Sequence, residues 1–187
     1  LAGYQIPIEV RKSATGIVLH LPNQALDPTS TVIVLKVKGE LNVERLLPKQ
    51  TAEGAVALTA DDANIHNPGY GGRLKIGQNG ILESHLEGWT DFRSHVDWVI
   101  EIDRPGTFEI YADVAAGERS GFSLRANTAN EKRFSVNPTG HPELFQQQLI
   151  GTMDLPEGES KIVMRPQEPS WRPITLRSLT LRLLTDP

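Results

Sequence analysis

The segment Val96–Ile102 (VDWVIEI), followed by Arg104-Pro105-Gly106 and then by Thr107–Val114 (TFEIYADV), decides the fold. In the first run Val96, Trp98 and Ile100 fall on alternate positions, which is the period of a strand that buries one face. The Pro-Gly pair marks a turn between two such runs. This stretch therefore predicts two short β-strands joined by a tight connection.

The same period of two recurs on both sides of this segment, with Gly, Pro and Asp residues between the runs. Many short strands separated by turn signals predict an all-β protein, an antiparallel β-sandwich of the jelly-roll type. Only Pro142–Gln148 has a composition that also suits a short helix. The further predicted strands are Ala55–Thr59, Arg73–Ile76, Gly121–Ala126, Lys132–Val136, Gln147–Asp154, Ser160–Arg165 and Pro173–Leu184.

The first 45 residues carry a separate set of strand signals, in Tyr4–Val10, Ile17–Leu21 and Thr31–Lys38. A few strands cannot close a sandwich alone, so residues 1–45 are predicted to be the final strands of a preceding β-sandwich. Residues 46–54 are polar and read as a linker, and residues 55–187 as the jelly-roll module. Because strand-like sequence begins at Leu1, we expect the chain to be a piece of a longer protein.

Composition narrows the possible functions. The chain has 187 residues, a formal net charge of -4 and no cysteine. An excess of acids disfavours binding to nucleic acid through phosphate contacts, and the absence of cysteine excludes disulfides and thiolate chemistry. No apolar run approaches the roughly 18 residues of a membrane-spanning helix. We therefore expect neither a nucleic-acid partner nor a membrane partner.

Two parts of the chain resemble known families. The segment LPNQALDPTSTVIVLKVKGELNV (Leu21 to Val43) resembles the closing strands of the C-terminal β-sandwich in family 29 glycoside hydrolases, the α-L-fucosidases. The second part is similar to the galactose-binding-like jelly rolls of family 6 and family 35 carbohydrate-binding modules. The segments that carry this second resemblance are LTADDANIH (58–66), GWTDFRSHVDWVIEIDRPGTFEIYADVA (88–115), TMDLPEGESKIVMRP (152–166) and ITLRSLTLRLL (174–184).

The resemblance implies a noncatalytic, C-terminal carbohydrate-binding-type region of a secreted glycoside hydrolase, located outside the cell or in the periplasm. Its partners would be a glycan ligand and the N-terminal catalytic domain of the parent chain. No catalytic residue and no cofactor are expected in this segment. The alternative is a structural β-sandwich module that packs against the catalytic domain without binding sugar. An exposed pair of aromatic rings at one loop end would favour binding, whereas a broad apolar patch would favour packing.

Sugar recognition needs a flat apolar ring for the C–H face of the sugar and fixed polar groups for its hydroxyls. In the resembled modules the site lies in loops at one end of the sandwich, including the loop before the last strand. Nothing in the local pattern around Trp171 predicts its burial, so this ring is expected to be an exposed platform. The predicted carbohydrate-binding residues are Trp171, Arg172, Trp89, Arg93, His141 and Tyr70.

Interpretations without ligand binding stay open for these residues. Trp89 also suits packing over one end of the sandwich, Tyr70 suits a plain surface turn, and His141 suits a solvated loop. Trp98, in phase with its neighbours in the strand, is predicted to be a core residue.

The resembled modules commonly hold a structural calcium between acidic residues of the first and last strands. Here the corresponding segments read Thr59-Ala60-Asp61 and Thr175-Leu176-Arg177. Calcium needs six to eight oxygen ligands, and a cation replaces one carboxylate. We therefore expect no metal site and predict that Arg177 forms an ion pair with Asp61 or Asp62 instead.

Overall fold

The computed structural model describes residues 8–13, 16–20, 34, 36, 38, 39, 47–79 and 83–184. The chain divides into two compact units, Leu1–Glu44 and Arg45–Pro187. In the first unit β1 (Glu9–Ser13) and β2 (Gly16–His20) form an antiparallel hairpin. Most of the predicted strand Thr31–Lys38 and most of Tyr4–Val10 lie outside the described residues.

The second unit is an antiparallel sandwich of two sheets, and its described residues contain no helix. The all-β prediction is confirmed. Its strands are β3 (Ala55–Thr59), β4 (Asn64–His66), β5 (Lys75–Asn79), β6 (Glu83–Glu87), β7 (His95–Ile102), β8 (Gly106–Ala116), β9 (Ser120–Ala126), β10 (Lys132–Val136), β11 (Gln146–Leu155), β12 (Gly158–Pro166) and β13 (Ile174–Leu183).

One sheet has the order β10-β9-β12-β7-β4, and the other has the order β11-β8-β13-β6-β5 with β3 paired to β13. Alternate residues of each strand enter the space between the sheets, as the period of two requires. Val96, Trp98 and Ile100 of β7 face Phe108 and Ile110 of β8 in one continuous core.

The pairing register gathers several loops at one end of the sandwich. The start of β11 pairs with the end of β8, and the start of β13 lies at the same level. We call this the Trp end because it holds Trp89 and Trp171. Its loops are residues 67–74, 88–94, 117–119, 137–145 and 167–173. All six predicted sugar-binding residues lie in these loops.

Arg177 does not pair with Asp61 or Asp62, so that prediction was wrong. A β-bulge between Leu176 and Ser178 adds one residue to β13 and reverses the alternation of faces. The guanidinium lies on the outer face of the six-stranded sheet, 3.2 Å from Asp113 Oδ2 and 2.9 Å from Glu83 Oε2. It also stacks 3.8 Å from the centre of the Phe145 ring, which fixes the 137–145 loop against the sheet.

Residues 47–54, which are predicted from the sequence to be part of a linker, are hydrogen-bonded to β7 and to the turn after it. The carbonyl of Pro48 accepts the backbone N–H of Glu101 at 2.9 Å. The buried Gln50 side chain accepts the backbone N–H of Arg104 at 2.7 Å and donates to the carbonyl of Gly54 at 3.4 Å. The jelly roll therefore includes this segment.

We expect Gln50→Ala to lower the free energy of unfolding of the second unit by about 0.5–1.5 kcal/mol, since it removes the hydrogen bond that the backbone N–H of Arg104 donates to the Gln50 side chain. Urea unfolding followed by tryptophan fluorescence measures this change. The matched control is Gln147→Ala, which removes an exposed glutamine from β11 and should cost less than about 0.5 kcal/mol. Equal losses in the two variants would mean that residues 48–54 contribute nothing to the fold.

Candidate functional site

The Trp end is closed by a contact between two tryptophans. The rings of Trp89 and Trp171 lie 5.2 Å apart between centroids and are inclined at 58°. Trp89 is 1% exposed and Trp171 is 8% exposed. Trp89 Nε1 also donates to the carbonyl of Ser94 at 3.0 Å. Both rings are thus part of the core and hold the loops above them.

The prediction that Trp171 is an exposed platform was wrong. Its loop, PQEPSWRP, has no periodic pattern from which burial can be predicted. The ring is buried because Trp89, from a loop distant in the sequence, provides an apolar surface for it. Neither tryptophan presents a free ring face to a sugar.

A cleft of about 510 Å³ opens beside this pair, lined by Gly71, Thr90, Asp91, Phe92 and Arg93. We call it the Tyr70 cleft because Tyr70 directly precedes Gly71 in the chain and is 92% exposed. Phe92 is 49% exposed. The two exposed rings stand on neighbouring loops, 67–74 and 88–94. Sequence reasoning missed Phe92, whose only signal is an aromatic residue between charged neighbours.

An ion pair fixes the polar side of the Tyr70 cleft. Arg93 Nη2 lies 2.7 Å from Asp91 Oδ2, and Arg93 Nε donates to Asp91 Oδ1 at 3.0 Å. The same Nη2 donates to the carbonyl of Tyr70 at 3.1 Å. Hydrogen bonds from Arg93 lower the pKa of Asp91, and Asp91 in turn raises the pKa of Arg93. Both groups therefore stay charged at neutral pH, and the pair joins the two loops.

Local contacts hold the two loops in place. Asn67 donates to the carbonyl of Leu74 at 2.9 Å and accepts from the Ser94 hydroxyl at 2.9 Å. Gly88 has a φ of 69°, and a Cβ at this position would lie 2.4 Å from the carbonyl oxygen of Arg73. Only glycine allows this approach.

The remaining predicted residues do not join the Tyr70 cleft. Arg172 lines a second cleft of about 460 Å³, and its Nε lies 3.4 Å from Glu118 Oε2. His141 is exposed on the 137–145 loop, where its Nδ1 accepts the backbone N–H of Glu143 at 3.3 Å. His141 lines neither cleft. Among the six predicted residues, the structure thus brings Tyr70 and Arg93 together at the Tyr70 cleft, and it brings Trp89 and Trp171 together in the core.

A polar cluster lies on the outer face of the five-stranded sheet, next to the Trp end. The Asp97 side chain is 3% exposed; it accepts from Asn64 Nδ2 at 3.0 Å, bonds to His66 Nε2 and pairs with Lys161 at 3.1 Å. Burial alone would raise the pKa of Asp97, but these hydrogen bonds outweigh it and the pKa lies below its usual range. The rings of His66 and His95 stack 4.5 Å apart.

Among the described residues, no group of three or more His, Asp or Glu side chains has the geometry of a metal site. Within the same ranges there is no helix of the length and hydropathy needed to cross a lipid bilayer.

The fold is shared with proteins of known structure. A family 35 carbohydrate-binding module from Clostridium thermocellum matches with a TM-score of 0.58 at 14% identity, over 70% of this chain and 99% of that chain. A family 6 module from Clostridium stercorarium, in complex with cellobiose, matches with a TM-score of 0.56 at 13% identity, over 74% of this chain and 98% of that chain.

A Podospora anserina β-(1,4)-mannanase that carries a family 35 module matches with a TM-score of 0.58 at 16% identity, over 72% of this chain and 29% of that enzyme. No protein-family model matches the sequence, and no curated protein matches it. At these identities the similarity defines the fold, which is the jelly roll of carbohydrate-binding modules.

The burial of Trp171 leads to a stability test. We expect Trp171→Ala to lower the free energy of unfolding by about 3–5 kcal/mol, as for other large buried rings. Tyr70→Ala removes an exposed ring at the same end and should cost less than about 0.5 kcal/mol. Urea unfolding followed by far-UV circular dichroism gives both values. A small loss for Trp171→Ala would mean that this ring lies on the surface.

The His66–His95 stack predicts a pH dependence of stability. Burial of the ring, aided by the nearby charges of Arg165 and His66, lowers the pKa of His95. In the unfolded chain the pKa of histidine is about 6.5, so below that pH the unfolded state binds more protons than the folded state. The melting temperature should therefore fall as the pH is lowered from 7 to 5.

Differential scanning calorimetry of the wild type and of His95→Gln across this pH range measures this contribution. The variant should show a shallower decline below about pH 6.5. Parallel declines in the two proteins would rule out His95 as the cause.

Proposed function

We propose that this chain is the noncatalytic carbohydrate-binding region of a secreted glycoside hydrolase resembling the α-L-fucosidases, and that it works outside the cell or in the periplasm. Residues 1–45 end a preceding β-sandwich, and the jelly roll that follows binds a glycan. The observation that carries this proposal is the Tyr70 cleft, where the exposed ring of Phe92 lies beside a fixed ion pair and the exposed Tyr70 stands on the adjoining loop.

The exposed rings suit the apolar faces of a sugar. A pyranose presents C–H groups on its faces and hydroxyls at its rim, so it stacks on an aromatic ring whose surroundings are polar. Tyr70 and Phe92 are the exposed rings at this end. Since the 67–74 and 88–94 loops are anchored through Asn67 and Trp89, the backbone that carries the two rings needs little further ordering on binding.

The ion pair suits the hydroxyls. Asp91 accepts hydrogen bonds, and Arg93 donates them from a side chain that is 55% exposed. Each group keeps its charge because of the other. Asp91 is 10% exposed and its oxygens accept from Arg93, so the guanidinium is the more accessible member and a sugar hydroxyl can accept a hydrogen bond from it.

Exposed apolar residues support binding over packing as the role of this module. Outside the Tyr70 cleft, the large exposed apolar side chains of the described second unit stand on separate elements. They are Ile76 on β5, Leu144 in the 137–145 loop, Leu149 on β11 and Leu184 after β13. Single residues of this kind are normal for a protein surface, whereas an interface with a catalytic domain would need them in one patch.

Two observations support the proposal that the parent protein is a glycoside hydrolase. The segment from Leu21 to Val43 resembles the end of the fucosidase sandwich. The mannanase neighbour also joins a family 35 module to a glycoside hydrolase within one chain. The N-terminal catalytic domain is thus the proposed covalent partner, and catalysis is assigned to that domain.

Isothermal titration calorimetry with cellohexaose, mannohexaose, isomaltohexaose and a fucosylated xyloglucan oligosaccharide tests the proposed function. We expect at least one to bind, and Tyr70→Ala and Phe92→Ala each to weaken that binding by about tenfold, equivalent to about 1.4 kcal/mol for one stacked ring. The matched control is Leu149→Ala, which removes an apolar side chain of similar exposure on β11. Its affinity should equal that of the wild type.

Absence of binding to all four oligosaccharides would contradict the proposal and favour the packing role. Equal weakening in Leu149→Ala would show that the Tyr70 cleft is not the site.

A further inference from the structure

The outer face of the five-stranded sheet carries a group of arginines toward the Trp end. They come from the 117–119 loop, β9, β10, β12 and the 167–173 loop, and all are exposed. We call this surface the arginine face. Its members are Arg119, Arg125, Arg133, Arg165 and Arg172.

The strand register brings the central members together. Ser123 of β9 lies between Arg165 of β12 and Arg133 of β10, each of which is its direct cross-strand partner. Arg125 lies two residues after Ser123 and so points to the same side of the sheet. Three guanidinium groups from three adjacent strands therefore surround one position of the sheet.

Few carboxylates neutralise these charges. Glu118 pairs with Arg172 at 3.4 Å, and Glu131 accepts a hydrogen bond from the Ser123 hydroxyl. Arg125, Arg133 and Arg165 form no ion pair with any residue in the described ranges. The arginine face thus carries an excess of positive charge. The whole chain has a formal net charge of -4, so its overall charge repels polyanions and any attraction must come from this face.

The second cleft, of about 460 Å³, lies at the Trp end of the arginine face. Arg119 donates to the Ser135 hydroxyl at 3.0 Å inside it. Phe134 is half-buried and pairs with the core residue Phe122, so its ring points to the core side of β10 and not to the side of Arg133. The cleft is lined by Glu118, Arg119, Gly121, Phe134, Ser135, Ser170 and Arg172.

We propose that the arginine face is a second binding surface, for a sulfated polysaccharide. The choice of a glycan as ligand class rests on the proposed function, whereas the surface itself shares no residue with the Tyr70 cleft. The arginines bind the anionic substituents of the glycan, and the second cleft at the Trp end can receive a part of its chain.

The chemistry favours sulfate esters. The cations of this face are arginines, whose weakly hydrated guanidinium forks match the geometry of oxyanions and form paired charge-assisted hydrogen bonds. A sulfate ester has three terminal oxygens and can accept from guanidinium groups that approach from different strands. A carboxylate has two oxygens in one plane, which suit the paired hydrogen bonds of one guanidinium group.

Dextran sulfate and unmodified dextran of the same length form the test pair, because they differ only in the sulfate groups. Affinity is measured by calorimetry with the full chain at several salt concentrations. We expect dextran sulfate to bind, and Arg133→Gln/Arg165→Gln to weaken that binding by about tenfold or more. Arg73→Gln/Arg182→Gln is the matched control; both residues are exposed, and they lie in the 67–74 loop and on β13 of the other sheet. Melting temperatures confirm that all variants are folded.

Equal weakening in the two double variants would overturn the proposal, because it would indicate a diffuse charge effect. Absence of dextran sulfate binding would also overturn it, as would equal or tighter binding of polygalacturonate, which carries carboxylates. Tyr70→Ala separates this surface from the proposed function, since it should leave dextran sulfate binding unchanged. Loss of neutral oligosaccharide binding alone would count against the Tyr70 cleft and not against the arginine face.

Discussion

The contact between Trp89 and Trp171 is the constraint on which the Trp end depends. Each tryptophan lies in a loop that crosses from one sheet to the other, between β6 and β7 or between β12 and β13. When the two rings pack at 5.2 Å, they cap the core and fix both crossings at once. Phe92, Arg93 and Arg172, which face solvent at this end, stand on the two loops that this contact holds.

The two surfaces that we assign to ligands differ in how their charges are satisfied. In the Tyr70 cleft Arg93 and Asp91 neutralise each other, so selection there depends on ring stacking and on hydrogen bonds to hydroxyls. On the arginine face, Arg133 and Arg165 flank Ser123, whose hydroxyl bonds to the single carboxylate of Glu131, so the arginines are in excess and selection would depend on charge. A glycan with sulfated and unsulfated stretches would bind to both surfaces. Its overall affinity would then exceed the affinity of either surface alone, because the second contact is intramolecular.

Much of the fold could be predicted from the sequence, because a sandwich core imposes a period of two on each strand. The bounds of β3 and β10 were predicted correctly for this reason. β6 was missed because it is polar (ESHLE) and His85 is buried under Phe145 instead of facing the core. The bulge at Arg177 was missed because an extra residue in β13 leaves no local signal.

The candidate site was predictable only in part. The resemblance to carbohydrate-binding modules predicted that the loops of Tyr70 and Arg93 lie at one end of the sandwich, and the structure joins these residues through a hydrogen bond. The burial of Trp171 could not be predicted, since it depends on a contact with Trp89 from another loop. The alternation of apolar residues predicts which residues of a strand are buried. The burial of a loop residue depends instead on which loops the topology brings together.

The central claim is that the solvent-facing rings of the Trp end are Tyr70 and Phe92 and that the tryptophans beneath are closed to ligand. Photochemically induced dynamic nuclear polarisation detects exposed tyrosine and tryptophan rings in one NMR spectrum. Spectra are recorded with and without the oligosaccharide that binds best. The account predicts a Tyr70 signal that the sugar suppresses, and no enhancement of Trp89 or Trp171 in either state. A Trp171 signal that disappears when the sugar is added would contradict it.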